Sequence, residues 1–312
     1  MSLHKWCSNT PEILNSIPKE EQYWDFHCQS SDQTIKTLGI IWSPQFDYFS
    51  FKNAVNCHES HKKRKVLSII ARLFDPLGFL GPILTKAKLI SLKLWVLKLE
   101  WDEPLSNPVA KEGSDIVSTL LVIQNIHVPQ LVIGKGRINI HGFADASTAA
   151  YRAVLYAQSI SEEDVSTRLL CSKFRVALVK PITIPRLELW ACVLLSQLLE
   201  KVLHSLTLPI RQIMLWTDSN IVLAWIQRSP EQLKLSDYRL TKNCQWNHVS
   251  SNENLADLIS RGLNASDISS KQLWWYGPDF LKEELEVNPV DFERITSDSD
   301  YLKELTNLQM SF

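Results

Sequence analysis

Four acids stand in four separate segments of the 312-residue chain: Asp145, Glu188, Asp218 and Asp257. Asp145 closes an alternating run, INIHGFADAS, that predicts a strand. Glu188 lies early in a predicted helix from Pro185 to about Leu206, since proline is favoured in the first helical turn. Asp218 closes a second predicted strand, IMLWTDS, and Asp257 opens a short helix, NLADLISRG. If the two strands are adjacent and parallel, both aspartates emerge side by side at the carboxyl edge of a sheet, where open α/β sheets build their sites. Glu188 near its helix start can face the same edge, in a dipole field that favours an anion. Crowded carboxylates need cations to stay ionised together. An all-oxygen donor set suits Mg²⁺ or Mn²⁺. Two such ions about 3.5–4 Å apart can activate a water and stabilise a leaving oxygen, which is the chemistry of phosphodiester hydrolysis.

The elements around these acids predict the architecture. Three β-rich runs (RINIHGFADA, AAYRAVLYAQSI, TRLLCSKFRVAL) precede the long helix. Strand (QIMLWTDS), helix (NIVLAWIQR), strand (CQWNHVS) and helix (NLADLISRG) follow. That order predicts an antiparallel meander extended by parallel strands, an α/β domain with a mixed five-stranded sheet over residues 136–265. Upstream, TIKTLGIIWSPQFDYFSF predicts a hairpin turning at Pro44. Val66, Ile69, Ile70, Leu73 and Phe74 repeat with helical spacing, ending at Asp75-Pro76. Pro82 opens another helix, expected to run to about Glu100. Residues 1–101 thus form a small α+β unit, 102–135 a connector rich in Pro and Gly with one helix in IVSTLLVIQNI, and 266–312 a tail.

Bulk properties narrow the class. The chain is 45% hydrophobic and 21% charged, with formal net charge −1, an ordinary globular balance. A phosphate-binding surface must therefore be local rather than global. There is no run of 18 apolar residues and no apolar core at the N-terminus, so neither a membrane span nor a signal peptide is expected. Six scattered cysteines without a Cys-x-x-Cys pair fit reduced thiols inside the cell, in cytoplasm or nucleus. Cys57, His58 and His61 lack the second pair that a structural zinc site needs.

HGFADASTAAYRAVLY, CSKFRVALVKPITIPRLELWACVLL, LWTDSNIVLAWI and WNHVSSNENLADLISRG together resemble the RNase H region of BEL/Pao-type retrotransposon Pol polyproteins. LHKWCSNTPEIL, KTLGIIWSPQFDYFSF and ARLFDPLGFLGP look like the reverse transcriptase of the same polyprotein, from late palm through thumb and connection. LWWYGPDFL resembles the segment after RNase H. The resemblance implies an RNase H-like fold that cleaves the RNA strand of RNA–DNA hybrids, with Mg²⁺ or Mn²⁺ held by Asp145, Glu188, Asp218 and Asp257. Ser219, Asn220 and Asn252 would position backbone or water. The polymerase metal motif would lie upstream of Met1, so DNA synthesis is not expected, and neither is an integrase after Phe312. Alternatives are an inactive transposon remnant that at most binds nucleic acid, or an aspartic peptidase, for which no Asp-Ser-Gly or Asp-Thr-Gly triplet is present.

Hybrids are gripped through phosphates and 2′-hydroxyls. Candidate contacts are Lys173, Arg175, Lys180, Arg186 and Arg261, with Lys62, Lys63, Arg64 and Lys65 at the thumb-like helix. Cations at a helix N-terminus oppose its dipole, which favours a functional reason for that run. His248, at the end of its strand, is read as packed or backbone-bonded, with proton transfer as the second role. Trp190, Trp216, Trp225, Trp246, Trp274 and Trp275 are expected in the core or at an interface. Arg152 stands where the family usually carries glycine. A large cation there would disturb packing or add a phosphate contact.

Overall fold

A computed structural model describes residues 6–22, 35–37, 40–51, 62–177, 182–227, 245–255 and 262–285. A short helix, α1 (Pro11–Asn15), precedes a small sheet of β1 (Ile35–Thr37), β2 (Ile40–Ser43) and β3 (Tyr48–Phe51). β2 and β3 pair antiparallel across the turn at Pro44, as the hairpin pattern predicts. Helices α2 (Lys63–Ala71), α3 (Gly81–Val96) and α4 (Asn107–Leu120) follow. α2 stops before Leu73 and Phe74, and Phe74 is exposed. The helical spacing therefore overran, because the chain turns at Ala71–Arg72 into the segment that leads to Asp75-Pro76. α3 ends at Val96, short of Glu100, and Lys98 just beyond it adopts a left-handed conformation. In the predicted connector the helix starts earlier, at Asn107, and β4 (Val128–Pro129) returns to pair with β3.

The main sheet contains β5 (Arg137–Ala146), β6 (Ala150–Ile160), β7 (Val165–Val176), β8 (Ile210–Thr217) and β9 (Gln245–His248), in the order β7-β6-β5-β8-β9. β5, β6 and β7 form an antiparallel meander; β8 runs parallel to β5, and β9 parallel to β8. This is the mixed α/β, RNase H-like architecture that the sequence predicts. The first crossover is helix α5 (Ile184–Ser205), which has Pro185 in its first turn. Leu187, Ala191, Leu194, Leu195 and Leu199, three or four residues apart, pack on Ile138, Ile140, Leu155 and Leu215. Gly142 permits the close approach, since a Cβ there would stand 2.7 Å from Leu215 Cδ2 and 2.9 Å from Leu195 Cδ1. Helix α6 (Asn220–Gln227) follows β8 and buries Trp225.

The opposite face of the sheet carries Phe143, Tyr156 and Trp216, joined in one apolar cluster with residues from both ends of the chain. From upstream comes the DPLGFLGP loop. Asp75 Oδ1 and Oδ2 accept the backbone N–H groups of Phe79 and Leu80. Burial pushes its carboxyl up to about 6, although those backbone N–H groups pull it down. The Ser172 N–H donates to Leu77 O, and its hydroxyl donates to Gly78 O. Gly78 has φ +76°, and a Cβ there would lie 2.0 Å from Ser172 O. From downstream comes the LWWYGPDFL segment, at the head of the predicted tail. Trp274 is fully buried and donates to Phe79 O, while the Tyr156 hydroxyl donates to Trp274 O. Gln158 reaches Leu281 O and Glu283 O. Trp216, Trp225, Trp246 and Trp274 are buried, with Trp190 and Trp275 partly so, which bears out their expected core role.

Candidate active site

Sheet register brings the two strand-end aspartates together. β5 and β8 are neighbours, with Ala144 paired to Thr217. Asp145 and Asp218, the next residue on each chain, therefore leave the same edge at the same level. Asp145 is buried, whereas Asp218 is half-buried. Glu188 sits in the second turn of α5 rather than the first, because the helix begins at Ile184. Burial raises its carboxyl to about 7; a Ser219 hydrogen bond lowers it, and the nearby Asp218 charge raises it again.

Cys192, one turn further along α5, reports on the same gathering. Its thiol is pushed far above the ordinary range, first by burial and then by the charge of Glu188. A hydrogen bond to Thr217 opposes this, while Asp218 and Asp145 add to it. Thus the negative fields of three acids, carried on β5, α5 and the end of β8, meet beside one buried thiol. Asp257 lies outside the described residues, as do Lys180 and Arg261.

Asn254 completes the edge. It is buried, and its Nδ2 donates to Ala144 O at 3.0 Å and to Asp218 Oδ1 at 3.1 Å. It therefore fixes the Asp218 carboxylate against β5. The resemblance points to Asn252 at this site and does not single out Asn254. Asn252 is exposed. A buried asparagine just ahead of the fourth acid was the available signal, but burial is not visible in local pattern. Ser219 caps α6 by accepting the Val222 N–H while bonding Glu188, and Asn220 is exposed at the first position of that helix. His248 ends β9 opposite Thr217, beside Asp218 in sequence level, and is exposed. It is thus not packed, which corrects that half of the expectation.

Oxygen donors on one edge suit a hard divalent ion chemically. Among the described residues, however, no three acids, histidines or cysteines stand close enough together to cage one.

The cationic candidates divide. Lys173 and Arg175 are exposed on β7. Partial burial first, then Lys201 and Arg175, lowers the Lys173 ammonium, so these three form a positive cluster. Arg186 is half-buried in the first turn of α5. Lys63, by contrast, is buried: it donates to Leu99 O at 2.7 Å and lies 4.5 Å from the Trp95 ring centroid and 5.4 Å from that of Trp101. It is unavailable to a phosphate. Arg64 is held by both oxygens of Asp102. Lys62 is exposed and Lys65 half-buried. Arg152 is fully buried, which rules out the surface phosphate contact expected of it, and the β5–β6 and β6–β7 ladders pass through it without a break.

No helix among the described residues is long and apolar enough to cross a membrane. No curated protein matches the sequence. Among solved structures, a foamy viral protease–reverse transcriptase in complex with double-stranded DNA is similar at 12% identity and a TM-score of 0.43, over 70% of this chain and 38% of that one. The chain therefore spans well under half of that enzyme. An LC11-RNase H1 bound to an RNA/DNA hybrid is similar at 14% identity and a TM-score of 0.23, over 39% of this chain and 93% of that one. The RNase H1 of the archaeon Halobacterium salinarum is similar at 16% identity and a TM-score of 0.24, over 39% and 91%. Residues 62–219 match the Pao retrotransposon-like RNaseH-like domain. With the mixed sheet and its acidic edge, that match, over half of the chain, places this protein in the Pao retrotransposon-like RNaseH-like domain family.

Proposed function

We propose that the chain is a retrotransposon-derived nuclease that hydrolyses the RNA strand of RNA–DNA hybrids. Asp145, Glu188, Asp218 and Asp257 would hold Mg²⁺ or Mn²⁺. The observation that carries this reading is the level pairing of Asp145 and Asp218 on adjacent parallel strands, with Glu188 close enough to feel the Asp218 charge. Held by these acids, divalent ions would supply activation of water and stabilisation of the leaving oxygen. The chain's own contributions are positional. Asn254 fixes one Asp218 oxygen. Ser219 meets the Glu188 carboxyl and favours its ionised form. His248, exposed beside the edge, is placed to exchange a proton with solvent.

Lys173, Arg175, Lys180 and Arg186, with Asn220, Asn252, Lys62 and Lys65, are proposed to meet the hybrid backbone. Residues 1–101 are proposed as a palm-end and thumb-like portion of a Pol polyprotein. The test is cleavage of a labelled hybrid in Mg²⁺ or Mn²⁺, beside Asp145→Asn and Asp218→Asn. Metal-dependent cutting of the RNA strand alone, absent in both variants, is expected. A folded protein that cuts nothing, or cuts equally with either aspartate replaced, overturns the proposal.

A further inference from the structure

Helix α5 leaves a groove between itself and β7, the edge strand of the main sheet. Trp190, Leu194, Gln197, Lys201 and Ser205 lie three or four residues apart along the α5 wall. The first three line a hollow of about 270 Å³, and the last two an adjoining hollow of about 530 Å³. At 1.5 Å per residue, the wall from Trp190 to Ser205 is about 22 Å long. On the β7 wall, Lys173 and Arg175 alternate onto the face that Cys171 buries against α5. Lys88 of α3 reaches the larger hollow from the other side of the edge strand, with its Nζ 4.6 Å from the Phe174 ring centroid. Lys88, Lys173, Arg175 and Lys201 are all exposed. Among the described residues no ion pair holds any of these four, whereas Arg64 and Lys93 are paired to Asp102 and Glu112. Asp75 alone is acidic among the residues lining the two hollows, and both its oxygens are taken up by backbone N–H groups. Below this cationic rim the walls are apolar. Leu170, Leu198 and Val202 are partly buried there. At the other end Trp190 stands edge-on to Tyr151, with ring centroids 5.8 Å apart. Tyr151 pairs with Ala146, the residue after Asp145, so the groove opens beside the acidic edge.

We infer that this groove holds single-stranded nucleic acid, the unpaired extension of a hybrid whose paired part lies at the acidic edge. A duplex turns its bases inward and would use the rim alone. A single strand carries charge along its backbone and exposes flat apolar bases, and proteins that hold one combine a cationic groove with aromatic platforms. At roughly 3.4 Å per nucleotide of a stacked strand, the groove spans about six nucleotides. Lys88 and Lys201 thereby gain a role, and Lys173 and Arg175 move from the paired to the unpaired strand. The link to the acidic edge rests on the proposed nuclease reading; binding of the strand does not.

The test is fluorescence anisotropy of a labelled oligothymidylate in EDTA, for wild type and for Lys88→Ala combined with Lys201→Ala, two exposed positions outside the proposed cleavage machinery. Wild type should bind with an affinity that falls as salt rises. The double variant should bind about tenfold more weakly, with a log–log salt slope shallower by about 1.4, the loss of two phosphate contacts to a single strand. An abasic strand of equal length keeps the phosphates and lacks the bases, so it should bind wild type several-fold more weakly. No binding by wild type, equal binding by the double variant, or equal binding of the abasic strand overturns the inference. So does displacement of the strand by an oligoglutamate peptide of matched charge, which marks a general anion surface. None of these readouts depends on hydrolysis. A chain that holds the single strand yet cuts no hybrid overturns the nuclease reading alone, and one that cuts the hybrid yet holds no single strand overturns this inference alone.

Discussion

Glu188→Gln should make the protein more stable, and more so as pH rises. The Glu188 carboxyl is raised from 4.5 to about 7 in the folded chain, chiefly by burial. A folded-state value above the unfolded one means that the native protein binds more protons between those two values, so its stability falls as pH climbs through that window. Each pH unit between the two values corresponds to about 1.4 kcal/mol, so ionising Glu188 weakens the fold by roughly 3 kcal/mol above pH 7. At pH 5 the same linkage gives about 1 kcal/mol. Glutamine has the same shape and no charge. The stability gained on substitution should therefore grow by roughly 2–3 kcal/mol between pH 5 and pH 8. Loss of the Ser219 hydrogen bond adds an offset that does not vary over this range. The assay is urea unfolding of both proteins at pH 5, 6, 7 and 8 without divalent ions, compared by midpoint at constant slope. A difference that stays flat within about 0.5 kcal/mol across that range would refute the burial and crowding assigned to this carboxyl.

Asn254→Ala removes the donor shared by Ala144 O and Asp218 Oδ1, leaves a buried carbonyl unmet, and should cost about 1–3 kcal/mol by urea unfolding. It should also slow hybrid cleavage more than Asn252→Ala does. Gly78→Ala places a Cβ against Ser172 O at a positive φ, so it should destabilise the fold by more than about 1 kcal/mol in urea unfolding. His141 is buried between Gln158 and Trp216, and burial lowers its imidazole to about 4, though the Gln158 hydrogen bond raises it. Its neutral form is the folded one, so the stability it confers is complete above pH 6.5 and is lost as pH falls towards 4, by roughly 3 kcal/mol. His141→Gln should flatten that acid limb, as read from melts at pH 4, 5 and 7.

The central sheet was legible because β5, β6 and β7 alternate or run apolar over ten to twelve residues and are followed by a helix with a proline start. The strand-end positions of Asp145 and Asp218 follow from those boundaries, and their adjacency from the requirement that β8 run parallel after a helical crossover. What local pattern does not hold is pairing at long range. The bond from Ser172 to Gly78 and that from Trp274 to Phe79 join segments 94 and 195 residues apart. Lys63 shows the same limit: read as one of a row of cations, it is buried under Trp95 and Trp101 because the turn after α3 brings Leu99 O within its reach. His248, expected to be packed or backbone-bonded, is exposed, since it lies at a segment end where neighbours in space, not in sequence, decide exposure.

The closing of the sheet's second face by Trp274 has a consequence in time. Tyr156 bonds a residue 118 positions further along the chain. At about 5–20 residues per second, a ribosome needs roughly 6–24 s to supply that partner after Tyr156 has been made. Once Trp216 has been made, Phe143, Tyr156 and Trp216 still lack the part of their cover that Trp274 supplies until that residue follows. A chaperone that shields such surfaces should therefore raise the yield of soluble protein, and its benefit should be greatest when translation is slow.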